Sequence, residues 1–190
     1  MKIMIRAAAA AAALCCLAPA CLALTAPTQA APTQAAPTQA APAPAASSQT
    51  TPACTNADLH VDYRYSDSGA GSSYGWIRVT NVSRHACRTG GYGGVSYVGD
   101  GDGTQIGHAA IRVNRAAVRQ YVVRPGQRLV SSLQMVRAGN YSKSTCRPAR
   151  VDGFRVYVPN AYRSQFVAHR TTGCRNTAVH LLWQRPYHRP

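Results

Sequence analysis

The sequence predicts an all-β domain: an antiparallel two-sheet β-sandwich of immunoglobulin-like architecture, stapled by two disulfides. Three observations lead there. A series of short segments alternates apolar and polar residues or concentrates strand formers, with turn residues between them, as sandwiches and small barrels do. Amphipathic helical patterning is lacking; Ala109–Val118 has room for one helical turn at most. Four cysteines, Cys54, Cys87, Cys146 and Cys174, lie within the strand-rich part of the chain.

Before that part comes a leader. Lys2 and Arg6 form a basic start, and Ala7–Leu17 is an apolar run of signal-peptide length. It is too short, and too soon followed by prolines, to span a membrane. Ala18-Pro19-Ala20 is a small-x-small cleavage pattern, so residues 1–20 are expected to be removed. Cuts near Thr25 or Ala30 are alternatives. Cys21 then stands where a bacterial lipoprotein carries its lipid, although Ala18 occupies the position where that pattern has Leu. Free secretion is the leading reading, and Cys21 is the candidate lipidation site.

Residues 21–53 read as a linker. Ala26-Pro27-Thr28-Gln29-Ala30 recurs at 31–35 and 36–40. Thr25 to Ala53 holds no charge, aromatic ring or large aliphatic side chain. Such a segment buries too little to offset chain entropy, and its regular prolines make it an extended spacer.

The domain is assigned to residues 54–190. Leu59–Tyr65 alternates apolar and polar residues like a strand with one wet face. Trp76–Thr80 and Gly94–Val98 are rich in strand formers, and Asp100-Gly101 with Asp102-Gly103 supplies hairpin-turn chemistry. Arg119–Val123 precedes the turn pair Pro125-Gly126. Leu129, Ser131, Leu133 and Met135 share one strand face, as do Phe154, Val156 and Val158. Gln165–His169 and Ala178–Trp183 complete the set. Export permits disulfides. Four cysteines allow three pairings, and the spacing does not choose among them; sequential pairing, Cys54–Cys87 with Cys146–Cys174, is the simplest. A zinc site is disfavoured because no Cys-x-x-Cys knuckle is present.

The net charge is +15, from 21 basic and 6 acidic residues, and every acid is Asp. Such a surface attracts polyanions through its field, although arginine and alanine richness also fits a GC-rich coding bias. Several strings resemble sites. Gly71-Ser72-Ser73-Tyr74-Gly75 matches a hydrolase elbow, but Ser73 is read as part of a hairpin loop with no helix behind it. Asp100 and Asp102 begin a calcium-like loop that continues with Thr104 and Gln105 and lacks the distal Glu. The six histidines are scattered, and Asp58 and Asp62 are expected on one strand face, neutralised by arginines. Asn81-Val82-Ser83 and Asn140-Tyr141-Ser142 are glycan-acceptor strings, with Asn81 expected to bond a turn instead. The tail from Gln184 to Pro190 is basic and aromatic, and such tails are commonly disordered.

Cys54-Thr55-Asn56-Ala57-Asp58-Leu59, Val79-Thr80-Asn81-Val82-Ser83, Ala86-Cys87 and Gly91-Tyr92-Gly93-Gly94-Val95 form an ordered set. Arg124-Pro125-Gly126, Cys146-Arg147-Pro148, Phe154 to Pro159 and Gly173-Cys174 continue it. In order and spacing these resemble an exported actinobacterial-type domain-of-unknown-function family, number 4232. One departure is Gly93, where that family commonly has Pro in its Gly-Tyr-x-Gly turn. The resemblance implies export, often as a lipoprotein, and a β-sandwich; it carries over no catalytic or binding residue.

The expected function is that of an exported, envelope-associated or secreted, non-catalytic β-domain without cofactor or metal. The expected partner is an anionic wall polymer, polysaccharide or membrane surface, or a protein; nucleic acid is disfavoured. One alternative is a displayed structural or antigenic domain with no small ligand, contacting partners through Tyr63, Tyr65, Tyr92 and Tyr97. Another is an uncharacterised hydrolase.

Overall fold

Alternating inward apolar residues generate the strands, and their pairing gives an almost all-β domain. The computed structural model describes residues 50–114 and 117–190. The readings of residues 1–20 as a leader and of Cys21 as a lipid site lie outside the described residues, as does most of the linker. In chain order the strands are β1 (Leu59–Gly69), β2 (Ser72–Asn81), β3 (Cys87–Gly90), β4 (Gly94–Gly99), β5 (Thr104–Ile106) and β6 (Ile111–Arg112). They continue with β7 (Gln120–Val123), β8 (Arg128–Val136), β9 (Pro148–Tyr157), β10 (Ser164–Cys174) and β11 (Leu182–Gln184). A 3-10 turn at Ala138–Asn140 and a short helix α1 at Lys143–Cys146 follow β8. Ser142 caps α1 by accepting from the Thr145 amide at 3.1 Å.

One sheet runs β1-β2-β8-β11-β6, the other β10-β9-β4-β5. The two-sheet prediction needs two additions. β3 and β7 form a separate two-stranded sheet, and β6 joins β11 in parallel where an all-antiparallel sheet was expected. The β1–β2 hairpin turns through Ala70 and Gly71, both at positive φ (47° and 71°), as a two-residue hairpin loop requires.

The core lies between the two large sheets. Ile77 and Val79 of β2 and Leu129, Leu133 and Met135 of β8 pack in one cluster with Val95 and Tyr97 of β4 and Val151, Phe154 and Val156 of β9. Each such side chain stabilises the fold by roughly 1.5–3 kcal/mol when fully buried. Tyr97 stacks on Phe154 at 5.4 Å between ring centroids. Gln165 of β10 joins the sheet edges, accepting from the Val61 amide at 3.1 Å and donating to the Leu59 carbonyl at 2.6 Å.

Cys54 bonds Cys87 and Cys146 bonds Cys174, with Cα atoms 4.8 and 4.7 Å apart. The first bridge ties the segment before β1 to the start of β3; the second ties the end of α1 to the end of β10. Pairing begins before Cys54: the Pro52 carbonyl accepts from the Arg88 amide at 2.7 Å.

Several local expectations are corrected. Ile111 and Arg112, within the stretch that has room for a helical turn, are extended and pair with the open edge of β11. The 178–183 segment is a strand only from Leu182; a turn around Asn176 precedes it, with the Val179 amide donating to the Asn176 carbonyl at 3.0 Å. Ser73 lies in β2, opposite Ser68 and Met135, not in a loop. The tail is held: Tyr187 is 1% exposed and pairs with Gly91, while His188 pairs with Val130.

Candidate functional site

The outer face of the five-stranded sheet is set by parity. Because Ile77 and Val79 point into the core, Tyr74, Trp76, Arg78 and Thr80 of β2 point out. On β8 the same rule turns Ser132, Gln134 and Val136 outward, and on β11 it turns Trp183 outward between buried Leu182 and Gln184. Register then assembles rows across the strands. Tyr74 pairs with Gln134, and Gln134 with Trp183. In the next row Arg64 pairs with Trp76 and Trp76 with Ser132, whose carbonyl accepts from the Arg185 amide at 3.0 Å.

These rows enclose an open cleft of about 560 Å³. Both tryptophans of the chain line it, together with Tyr74, Ser132, Gln134 and Arg185. Trp76 and Tyr74 keep 39% and 38% of their surface exposed. Among the described residues lining the cleft none is acidic. Gly75, also on its wall, is needed for the ring beneath: a Cβ there would stand 2.5 Å from the Arg64 carbonyl oxygen and from the Tyr63 ring.

Beside the cleft, Arg78 binds Asp62 through Nε at 3.0 Å and Nη2 at 2.8 Å, and Arg64 approaches the same carboxylate at 3.4 Å. The other aspartates are engaged too. Asp100 binds Arg175 at 2.7 Å, and Asp152 meets Arg150 at 3.3 Å and the Gly101 amide at 3.0 Å. Asp67 and Asp102 accept from the Ser68 and Thr104 amides at 2.7 and 2.8 Å. Asp58 differs from expectation. It precedes β1, accepts from the Thr55 hydroxyl and amide, both at 2.7 Å, and faces His85 at 3.4 Å, not an arginine. The Thr55 bonds hold its carboxyl below the ordinary carboxylate range. Four arginines thus have carboxylate partners, Arg64, Arg78, Arg150 and Arg175; the remaining described arginines, Arg185 included, have none.

A second cleft of about 160 Å³ is lined by Ser73, His169 and Thr171 among others. His169 packs against Phe154 and Tyr63, each at 4.8 Å, and burial depresses its pKa. Ser73 sits in mid-sheet rather than on the strand-to-helix turn that its motif needs. Asp100 and Asp102 form the β4–β5 turn, and no group of three metal-ligating side chains occurs among the described residues. The fold does bring His108 and His180 together, with rings 4.5 Å apart, a pair invisible in the chain order.

Asn81 is 1% exposed and bonds the following turn and Val123, so the acceptor side chain itself is buried. Asn140 donates to the Gly71 carbonyl at 2.9 Å. Of the tyrosines expected as outward contacts, Tyr65 is exposed, Tyr63 and Tyr92 are half-buried and Tyr97 is buried. Tyr162 and Phe166 are exposed elsewhere, and Tyr74, Trp76 and Trp183 instead line the cleft. Sequence reasoning missed this set, although the alternation Trp76-Ile77-Arg78-Val79 already places Trp76 opposite the core.

No helix among the described residues is long and apolar enough to cross a membrane. No curated protein and no solved structure matches the chain. Residues 54–183 match the model of a family described as a domain of unknown function (DUF4232). The match spans most of the chain, both disulfides and both large sheets, and the chain belongs to that family.

Proposed function

We propose that the protein is an exported, non-catalytic binding domain that holds an anionic polymer of the cell envelope, either freely secreted or lipid-anchored through Cys21. The observation that supports this reading is the one-sided ionic bookkeeping of the fold. Every aspartate is engaged within the domain, while most arginines face solvent without a carboxylate. Arginine's planar fork suits carboxylate and phosphate oxygens. A surface carrying this excess raises the local concentration of polyanions and speeds their encounter. The leader and Pro-rich spacer support display at a distance from the membrane.

The test is retention of the purified full chain on isolated envelopes under a rising salt gradient. Binding at low salt that weakens progressively as salt rises is the expected result, since exposed charges are screened over shorter distances at higher ionic strength. Failure to bind at low salt, or binding indifferent to envelope charge, refutes the reading.

A further inference from the structure

We propose that the cleft over β2, β8 and β11 is a glycan site that takes an acidic sugar chain, stacking pyranose rings on Trp76, Trp183 and Tyr74 and placing an acidic substituent at Arg185. This rests on the reading that the partner is an anionic polymer, and it names the ligand class and the place.

The aromatic content comes first. Both tryptophans of the chain stand on the one cleft, with Trp76 and Tyr74 more than a third exposed. Outward indoles on a sheet face gain nothing from the core and leave apolar surface in water. Aromatic faces carry negative charge density, which complements the polarised C–H bonds on the flat side of a pyranose. The polar content is interleaved with them. Gln134 pairs with both Tyr74 and Trp183, and Ser132 pairs with Trp76. An amide, whose nitrogen also reaches Ser72 Oγ at 3.4 Å, therefore stands between Tyr74 and Trp183, and a hydroxyl beside Trp76, where sugar hydroxyls need partners.

Charge and size narrow the class. None of the described residues lining the cleft is acidic, and Arg185 at its edge has no carboxylate partner. The cleft's 560 Å³ matches a small-ligand site, whereas a stable protein interface takes about 800 Å² from each partner.

Because both tryptophans line the cleft, intrinsic tryptophan fluorescence of the purified full chain reports on it directly. The probes are a uronic-acid oligosaccharide, a neutral glucan of equal length, polyphosphate and polyglutamate, all in about 0.5 M salt, where field attraction is screened. A saturable change with the uronic-acid chain, stronger than with the other three, is expected. By calorimetry, Trp76→Ala should weaken binding on the order of tenfold or more. The exposed Arg185→Gln change, which leaves the sheet intact, should reduce the preference for the uronic-acid chain over the neutral glucan. Equal response to polyphosphate overturns the stacking role, and equal response to neutral glucan overturns the acidic-ligand claim. Preference for polyglutamate overturns the proposal in favour of an acidic protein partner. If no probe binds yet low-salt retention on envelopes persists, the glycan site alone falls. If that retention fails too, the polyanion reading falls with it.

Discussion

Replacing Asn81 by Leu should remove a large part of the domain's stability, because this side chain uses all its hydrogen-bonding capacity inside the fold. Its amide nitrogen donates to the carbonyls of His85 at 2.9 Å and Val123 at 2.8 Å, and its oxygen accepts from the Ser83 amide and hydroxyl at 2.9 and 2.8 Å. It thereby fastens the end of β2 to the following turn and to β7, beside the Cys54–Cys87 bridge. Leu keeps the same branched shape with slightly larger end groups, so no cavity opens and the loss is chiefly polar. Val123 is 1% exposed, so water cannot replace the Asn81 donor at its carbonyl, and that loss should cost about 1–3 kcal/mol. The other three partners are nearer solvent and recover water, each losing roughly 0.5–1 kcal/mol. Together the expected loss is about 2.5–6 kcal/mol, a large share of the stability of a small domain. Urea unfolding of wild type and variant with unchanged slope measures it. A loss under about 1 kcal/mol would show that Asn81 is not the anchor its geometry describes.

The remaining predictions concern acid and the bridges. Burial lowers the pKa of His169 from its ordinary 6.5, so on acidification the unfolded chain takes up that proton first. The neutral-histidine contribution is therefore full above about pH 6.5 and is lost as pH falls from there through the folded pKa. His169→Phe, which keeps the aromatic packing, should flatten the stability–pH slope in this window; an unchanged slope counts against the assignment. Cys146 and Cys174 close a span of 28 residues, and Cys54 and Cys87 one of 33. Replacing either pair by Ala should cost about 3.5 kcal/mol in the chain-entropy model, read as a fall in melting temperature. Additive losses for the two pairs are expected, since they sit at separate places in the fold.

The candidate site was less legible than the fold, for a local reason. Trp76 stands in a strand-forming run, and there an aromatic residue scores as strand propensity whether it faces the core or solvent. The neighbours Ile77 and Val79 decide its direction. Trp183 was harder to place. Leu181-Leu182-Trp183 reads as a buried apolar run, and only three residues of that segment form a strand. The tail from Gln184 onward reads as basic, aromatic and disordered, yet Tyr187 is buried, paired with Gly91, while His188 pairs with Val130.

By itself the sequence determined what is local in the chain: the strand periods of β1, β2, β4 and β8, the turn at Asp100–Gly103, the cysteines available for bridging, and the basic charge. It also determined the family through the order of its motifs. The tertiary structure decided which strands are neighbours. A period of two tells a side chain which face it occupies and nothing about which distant strand lies beside it. β8 pairs with β2 on one side and with β11 on the other, so residues far apart in the chain meet across it. That placement of Trp76 and Trp183 around one cleft follows from long-range pairing, which depends on burying both sheets together and not on any local preference.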